Sequence, residues 1–376
     1  MAEQPRFPLR EPVDFVIIGS GSAGGILARE LSVAGFTVVV LEQGRYRRTH
    51  EFTHDELAIA FHDEYLGGQR GGDPQSFRHH AGEAAAVPEI PPAYYARMVG
   101  GSSVHFSANF WRLRPVDFKE RSLLGGIENA DLADWPLDYD ELEPYYTRVD
   151  WEIGVSGAPG PFDPPRSRPY PLPPMPNKSS GVLLEKGARE LGLHPQVAPV
   201  AILSQPFNNR ASCVHCGFCM GFGCEMGAKS STLVTMIPQA EATGRCEIRP
   251  QSTVHRIETD ARGRASEVLY YDAGGQEQAQ RAKAVIVAAN GAETPRLLLM
   301  SASARFPDGL ANGSGLVGRN LMFHPYALAR GRFELRRQAG ERRFEIGRGL
   351  VPEGGDVRPD PGPCGHARRR RRDREG

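Results

Sequence analysis

The chain has 376 residues, in which 45 Lys and Arg balance 45 Asp and Glu. With 40% apolar and 24% charged side chains, it has the profile of a globular protein of about two domains. Zero net charge leaves no field to draw in nucleic acid or an anionic membrane, and no apolar run approaches the ~20 residues that cross a bilayer. The opening MAEQPRFPLREPVDF lacks the apolar core of a signal peptide. The sequence therefore reads as cytoplasmic, or as periplasmic and membrane-associated if a partner exports it.

In chain order, residues 13–18 form an apolar strand, followed directly by Gly19, Gly21 and Gly24 with Ser22 and Ala23 between them. A helix comes next, with Leu27, Leu31 and Ala34 on one face, and then a β-branched strand over 37–41. Glu42 and Gln43 stand at its end. Strand, glycine turn, helix, strand and acid in that order make a dinucleotide-binding fingerprint. The glycines let backbone approach a pyrophosphate, the helix N-terminus supplies N–H groups and a positive dipole, and Glu42 is placed to accept from a ribose hydroxyl. The alternative is a βαβ unit whose glycines serve packing alone.

Residues 45–97 show no periodicity and read as an excursion beside the nucleotide. MVGGSSVHFSANFW, from residue 98, holds a second glycine turn at Gly100, Gly101, Ser102 and Ser103, where backbone can approach a cofactor unless it is an ordinary turn. A helix is expected over 138–155 with Leu142, Tyr145, Tyr146 and Val149 on one side, and a proline-dense loop over 159–176. Further helices are expected over 181–191 and 230–242, and strands over 246–259, 265–272 and 282–288. AVIVAANGAETPRLLLMS then repeats strand, glycine turn and helix, so the nucleotide domain is read as split by insertions. After about residue 333 the composition turns to Arg, Gly and Pro, with five arginines in a row at 368–372, and reads as a disordered tail.

Four of the six cysteines crowd into Cys213, Cys216, Cys219 and Cys224, spaced C-x2-C-x2-C-x4-C. The first spacings suit an iron–sulfur ligand run, four thiolates suit structural zinc, and disulfides or free thiols are the third reading. His215 has no spaced histidine partner.

Three segments together resemble the glucose–methanol–choline (GMC) oxidoreductases over residues 12–330. They are GSGSAGG with Glu42, VGGSSVHFSANFWRLRPVDF, and AANGAETPRLLLMS followed by GLVGRNLMFHP. CVHCGFCMGFGCEMGAKSS and ADWPLDYDELEPYY are similar to the gluconate 2-dehydrogenase large-subunit branch.

The resemblance implies an α/β fold, α+β overall. A Rossmann-like FAD domain is split over 12–150 and 246–325. Between its parts lie a Pro-rich linker (151–180) and a helical, Cys-rich segment (181–245). An incomplete antiparallel-sheet substrate domain with the tail occupies 326–376. FAD rather than NAD is implied as cofactor. Gly100 to Ser103 would lie at the flavin, Val254 would contact adenine through its backbone, and Ala289, Gly291 and Glu293 would form the late nucleotide turn. Some members bind FAD covalently through a histidine placed as His105 is. Covalent attachment and a noncovalent polar neighbour both stay open, and Phe106 departs from members carrying Asn there. Asn320 and His324 read as structural.

The implied reaction is oxidation of a CH–OH group of a sugar, sugar acid, polyol or other alcohol by hydride transfer to flavin. A small subunit and a cytochrome c acceptor are the implied partners. The alternatives are a noncatalytic flavin or iron–sulfur carrying electron-transfer subunit, and an NAD enzyme. The family places a catalytic histidine and a closing glycine segment near its C-terminus, and this tail resembles neither. The expectation is a chain truncated or frame-shifted from about residue 335, with no residue serving as catalytic base.

Overall fold

The computed structural model describes residues 5–60, 75–80, 82–87, 95–128 and 132–323. The expected substrate domain and Arg-rich tail lie outside the described residues, as does His324. Residues Met1–Met322 make one unit.

Its centre is a six-stranded sheet in the order β3-β2-β1-β6-β5-β4. The strands are β1 (Val13–Ile18), β2 (Val38–Leu41), β3 (Cys246–Arg249), β4 (Thr253–Thr259), β5 (Ala265–Tyr271) and β6 (Glu277–Val287). The helices are α1 (Ser22–Val33), α2 (Glu56–Ala60), α3 (Glu120–Leu124), α4 (Tyr139–Ile153), α5 (Ser179–Glu190), α6 (Met236–Ala242) and α7 (Glu293–Met300). β1 is parallel to both neighbours, with Ile18 opposite Leu41 on β2 and Val287 on β6. Side chains alternate between faces, as strands require. Val38 and Val40 pack with Ala28 of α1 and Ala240 of α6 on one side, while Val39 and Leu41 pack with Val254, Val268 and Leu297 on the other.

Several expectations change. Residues 246–259 form two strands. Pro250 cannot donate to a ladder and Gln251 takes a left-handed φ of +52°, so the chain leaves β3 and joins the far edge as β4. β6 begins earlier than residue 282. Its first half runs antiparallel to β5 and its second half parallel to β1, so one strand carries both parts of the sheet.

The buried face of α1 is Gly24, Gly25, Ala28 and Ser32. Leu27 and Leu31 are only partly buried, and Ala34 is an exposed C-cap. Small residues win there because a Cβ on Gly25 would lie 2.6 Å from Thr232 Cβ. The expected helix from 230 starts at Met236, since Ser230 and Thr232 send their hydroxyls to Ile153 O and Ser20 O in other segments.

α4 begins at an Asp138–Glu141 capping box. Its buried residues are Tyr139, Glu143, Thr147, Asp150 and Ile153, while Tyr145 is exposed. That polar side wraps Arg112, which donates to Glu143 Oε1 at 2.9 Å, Thr147 Oγ1 at 3.0 Å and Asp150 Oδ2 at 2.7 Å. α5 forms where expected and buries none of its residues.

Candidate cofactor site

β1 delivers the chain into the first glycine turn. Gly19 has a φ of +95°, and a Cβ there would lie 2.7 Å from Ala288 O and 3.3 Å from Ala289 Cα. A Cβ on Gly24 would lie 1.9 Å from Gly19 O, so only glycine lets α1 start so close to β1. Gly21 differs: a Cβ there would meet nothing within 4 Å. It caps α1 without a side-chain hydrogen bond, and Ser22 and Ala23 beside it are exposed. The result is an uncapped helix end facing open space, a place suited to an anion.

Glu42 is buried at the end of β2. Burial pushes its carboxyl pKa up, opposed by hydrogen bonds from Ser20 and the Gly44 and Gln43 backbone. Ser20 donates to Glu42 Oε2 through N at 3.0 Å and Oγ at 2.6 Å, and Gly44 N donates to Oε1 at 2.9 Å. Ser252 N donates to Glu42 O at 2.8 Å, which sets the start of β4 and the buried Val254 beside this corner.

The second glycine turn sits against the first. A Cβ on Gly101 would lie 2.9 Å from Gly21 Cα. Gly100 N donates to Ser20 Oγ at 3.0 Å, and Ser103 Oγ donates to Gly100 O at 2.6 Å. Thr232 completes the join, its Oγ1 donating to Ser20 O at 3.1 Å. Ser102 Oγ accepts from Ala96 N at 3.1 Å. The late turn arrives beside Gly19. Ala288 N donates to Ile18 O at 2.9 Å, a Cβ on Gly291 would meet open space, and Asn290 Oδ1 accepts from Ala292 N and Glu293 N at 2.9 Å each. Three turns far apart in sequence thus close on one place.

His105 follows the second turn. Its Nε2 is buried with no hydrogen-bond partner. Burial, helped by the charge of Lys229, pushes its pKa down to about 4, so the ring is neutral near pH 7.

Cys213, Cys216, Cys219 and Cys224 are free thiols lining a cavity of about 20 Å³ with His54, Phe218 and Lys229. Among the described residues no group of three or more His, Cys, Asp or Glu is arranged to hold a metal ion. All four cysteines nevertheless line one cavity. The loop takes its shape from backbone bonds: Cys213 N to Leu203 O at 2.9 Å, Gly221 N to His105 O at 2.8 Å and Gly227 N to Cys224 O at 3.0 Å.

The family model for GMC oxidoreductases matches residues 14–326. The chain belongs to the GMC oxidoreductase family. This GMC chain is 33% identical over 336 residues to the fructose dehydrogenase large subunit of Gluconobacter japonicus, covering 83% of this chain and 58% of that protein. It is 35% identical over 317 residues to the 2-methyl-1,2-propanediol dehydrogenase of Mycolicibacterium austroafricanum, covering 84% and 55%. With the gluconate 2-dehydrogenase flavoprotein of Pantoea cypripedii it shares 29% over 355 residues, covering 86% and 57%. The chain spans about half the length of the curated relatives it matches.

Among solved structures, a formate oxidase variant from Aspergillus oryzae superposes with a TM-score of 0.51 at 15% identity, covering 79% of this chain and 48% of that one. That likeness bears on the fold alone. No helix of the described residues is long and apolar enough to cross a membrane.

The site also uses residues that the sequence reading did not single out. Ser20, Thr232 and Lys229 carry hydrogen bonds between segments, and Asn290 braces the late turn locally. Of these, Ser20, Asn290 and Lys229 lie inside the motifs and Thr232 lies outside them.

Proposed function

We propose that the chain forms the FAD-holding part of an oxidoreductase. Its reaction oxidises a CH–OH group of a sugar, sugar acid, polyol or other alcohol, with the hydride passing to flavin. The observation that carries this reading is the convergence of the three glycine turns, joined through Ser20, Gly100 and Thr232. Membership of the GMC family and dehydrogenase relatives support the chemistry.

The residues fit the cofactor. Gly19, Gly21, Ser22, Ala23 and Gly24 would hold the pyrophosphate, with Gly21 leaving the space a phosphate needs. Glu42 and Gln43 would hold the ribose, and Val254, Ala289 and Gly291 would flank the ADP half. Gly100, Gly101, Ser102 and Ser103 would bring backbone to the flavin, where the buried, unpartnered Nε2 of His105 finds its neighbour. Bound FAD supplies the two-electron acceptor that no side chain here provides. A histidine with a pKa of about 4 is a weak base near neutral pH, so His105 binds and tunes rather than taking the hydroxyl proton. A small subunit and a cytochrome c acceptor are part of the proposal, supported by the large-subunit name of one relative.

The test is a visible spectrum of the purified chain after incubation with FAD. Yellow protein with flavin bands is expected, and failure to retain FAD overturns the reading. Acid precipitation then separates two uses of His105. Flavin kept in the pellet, and lost from it in His105→Ala, marks a covalent bond; flavin wholly in the supernatant marks a contact. Anaerobic addition of alcohols and sugars bleaches the flavin of an enzyme and leaves that of a carrier subunit unchanged.

A further inference from the structure

Lys229 is buried, and its ammonium is bound entirely by backbone. Nζ donates to Phe106 O at 2.8 Å, Cys219 O at 2.6 Å and Phe222 O at 2.7 Å. An ammonium has three protons, and all three are placed. Among the described residues no carboxylate forms a salt bridge with it. Burying an unpaired charge is costly, and oriented carbonyls are what offsets it here.

The carbonyls belong to two different segments. Phe106 follows His105 behind the second glycine turn, while Cys219 and Phe222 belong to the cysteine loop. Between them Gly221 N donates to His105 O at 2.8 Å. The backbone that follows Lys229 is anchored as well, Ser230 Oγ donating to Ile153 O at 2.7 Å and Thr232 Oγ1 to Ser20 O at 3.1 Å. Lys229 therefore stands on a fixed root between the loop and the turn.

We propose that Lys229 is a positioning residue that clamps the cysteine loop onto the His105–Phe106 backbone and sets the electrostatic field that His105 experiences. The clamp stands on these hydrogen bonds alone; its bearing on the cofactor rests on the FAD reading above. The loop's thiols and the flavin-side histidine are then one mechanical and electrostatic unit.

The experiment uses the full chain with Lys229→Met, which keeps the reach of the side chain and removes charge and donors. Alkylation of each thiol by iodoacetamide under native conditions is followed by mass spectrometry, with Cys246, buried in β3, as the control for folding. Removing the cation also raises the Cys219 pKa, so rates are measured across pH and compared per thiolate; on that basis, losing the clamp should raise the rate at Cys219 by at least about tenfold. Histidine-labelled protein followed by NMR gives the second readout. Without the cation, the His105 titration should move up from about 4; rehydration of the ring by loosened packing would move it the same way, so the charge-keeping Lys229→Arg serves as the control. If Lys229→Met does not fold, Lys229→Gln, which also removes the charge, is read in its place, while Lys229→Arg should hold the His105 titration low.

Unchanged Cys219 reactivity in a folded Lys229→Met chain overturns the clamp. A His105 titration that stays low in Lys229→Met, or rises as far in Lys229→Arg, overturns the electrostatic part. Neither readout needs flavin, so a colourless chain would sink the FAD reading while leaving this test intact.

Discussion

His105 is titrated by its surroundings in a way that reaches stability. Burial holds its folded pKa at about 4 against an ordinary 6.5. As pH falls from 6.5, the unfolded chain takes the proton first, so stability is lost between about 6.5 and 4 and is intact above that window. His105→Gln should remove up to about 3 kcal/mol of that acid sensitivity, read by denaturant unfolding at pH 7 and pH 4. Glu143 acts over a lower range. Burial alone would raise its pKa, but donors from Ser167, Thr147 and Arg112 outweigh burial and hold it at about 2. Its contribution is present above about 4.5 and fades as pH falls towards 2, so Glu143→Gln should flatten the acid limb there.

The β1–α1 turn separates packing from binding at two glycines three residues apart. Gly24→Ala should cost roughly 1–3 kcal/mol, because the new Cβ has no room against Gly19 O. Gly21→Ala should leave stability within about 1 kcal/mol, since Gly21 has a φ of −63° that alanine adopts and the Cβ meets nothing in the chain. The same methyl would occupy the space assigned to the pyrophosphate, so Gly21→Ala should lose FAD uptake while melting like the parent. FAD binding that survives Gly21→Ala would move the cofactor elsewhere. In α4 the buried polar side depends on Arg112. Arg112→Met should cost about 3–5 kcal/mol, because Glu143 would stay buried without its cation and Asp150 would keep only Arg166.

The sheet and the site are one construction across the described unit. β1, β2 and the second half of β6 lie side by side, so the turns after β1 and β6 and the acid after β2 emerge at one end. A ligand held by all three would tie residues 19, 42, 100 and 289 together and bind the folded chain alone. FAD at a hundred times its dissociation constant should then raise unfolding free energy by about 2.7 kcal/mol, visible as a higher melting temperature. A melting temperature indifferent to FAD would contradict a site built from all three turns.

The opening βαβ unit, Glu42, the second turn, the returning strand and helices α4 and α5 could all be read in advance. Each is written in neighbouring residues: a glycine after an apolar run, or a period of two or of 3.6. The buried side of α4 was misread because its packing follows a distant cation at Arg112, and polar residues that bury around a charge leave no apolar stripe. The break at Pro250 was hidden because residues 246–249 and 253–259 alternate alike and differ only in which strand each pairs with. Ser20, Thr232 and Lys229 share this character. Each acts by giving or taking a hydrogen bond to a segment brought near by the fold, and a hydroxyl or ammonium has no periodicity to announce its partner. The four cysteines were marked by their spacing, while the bonds from Lys229 to the carbonyls of their loop were not. Local chemistry in the chain fixed where a nucleotide could sit; long-range hydrogen bonds, formed only once the sheet had assembled, fixed which side chains surround it.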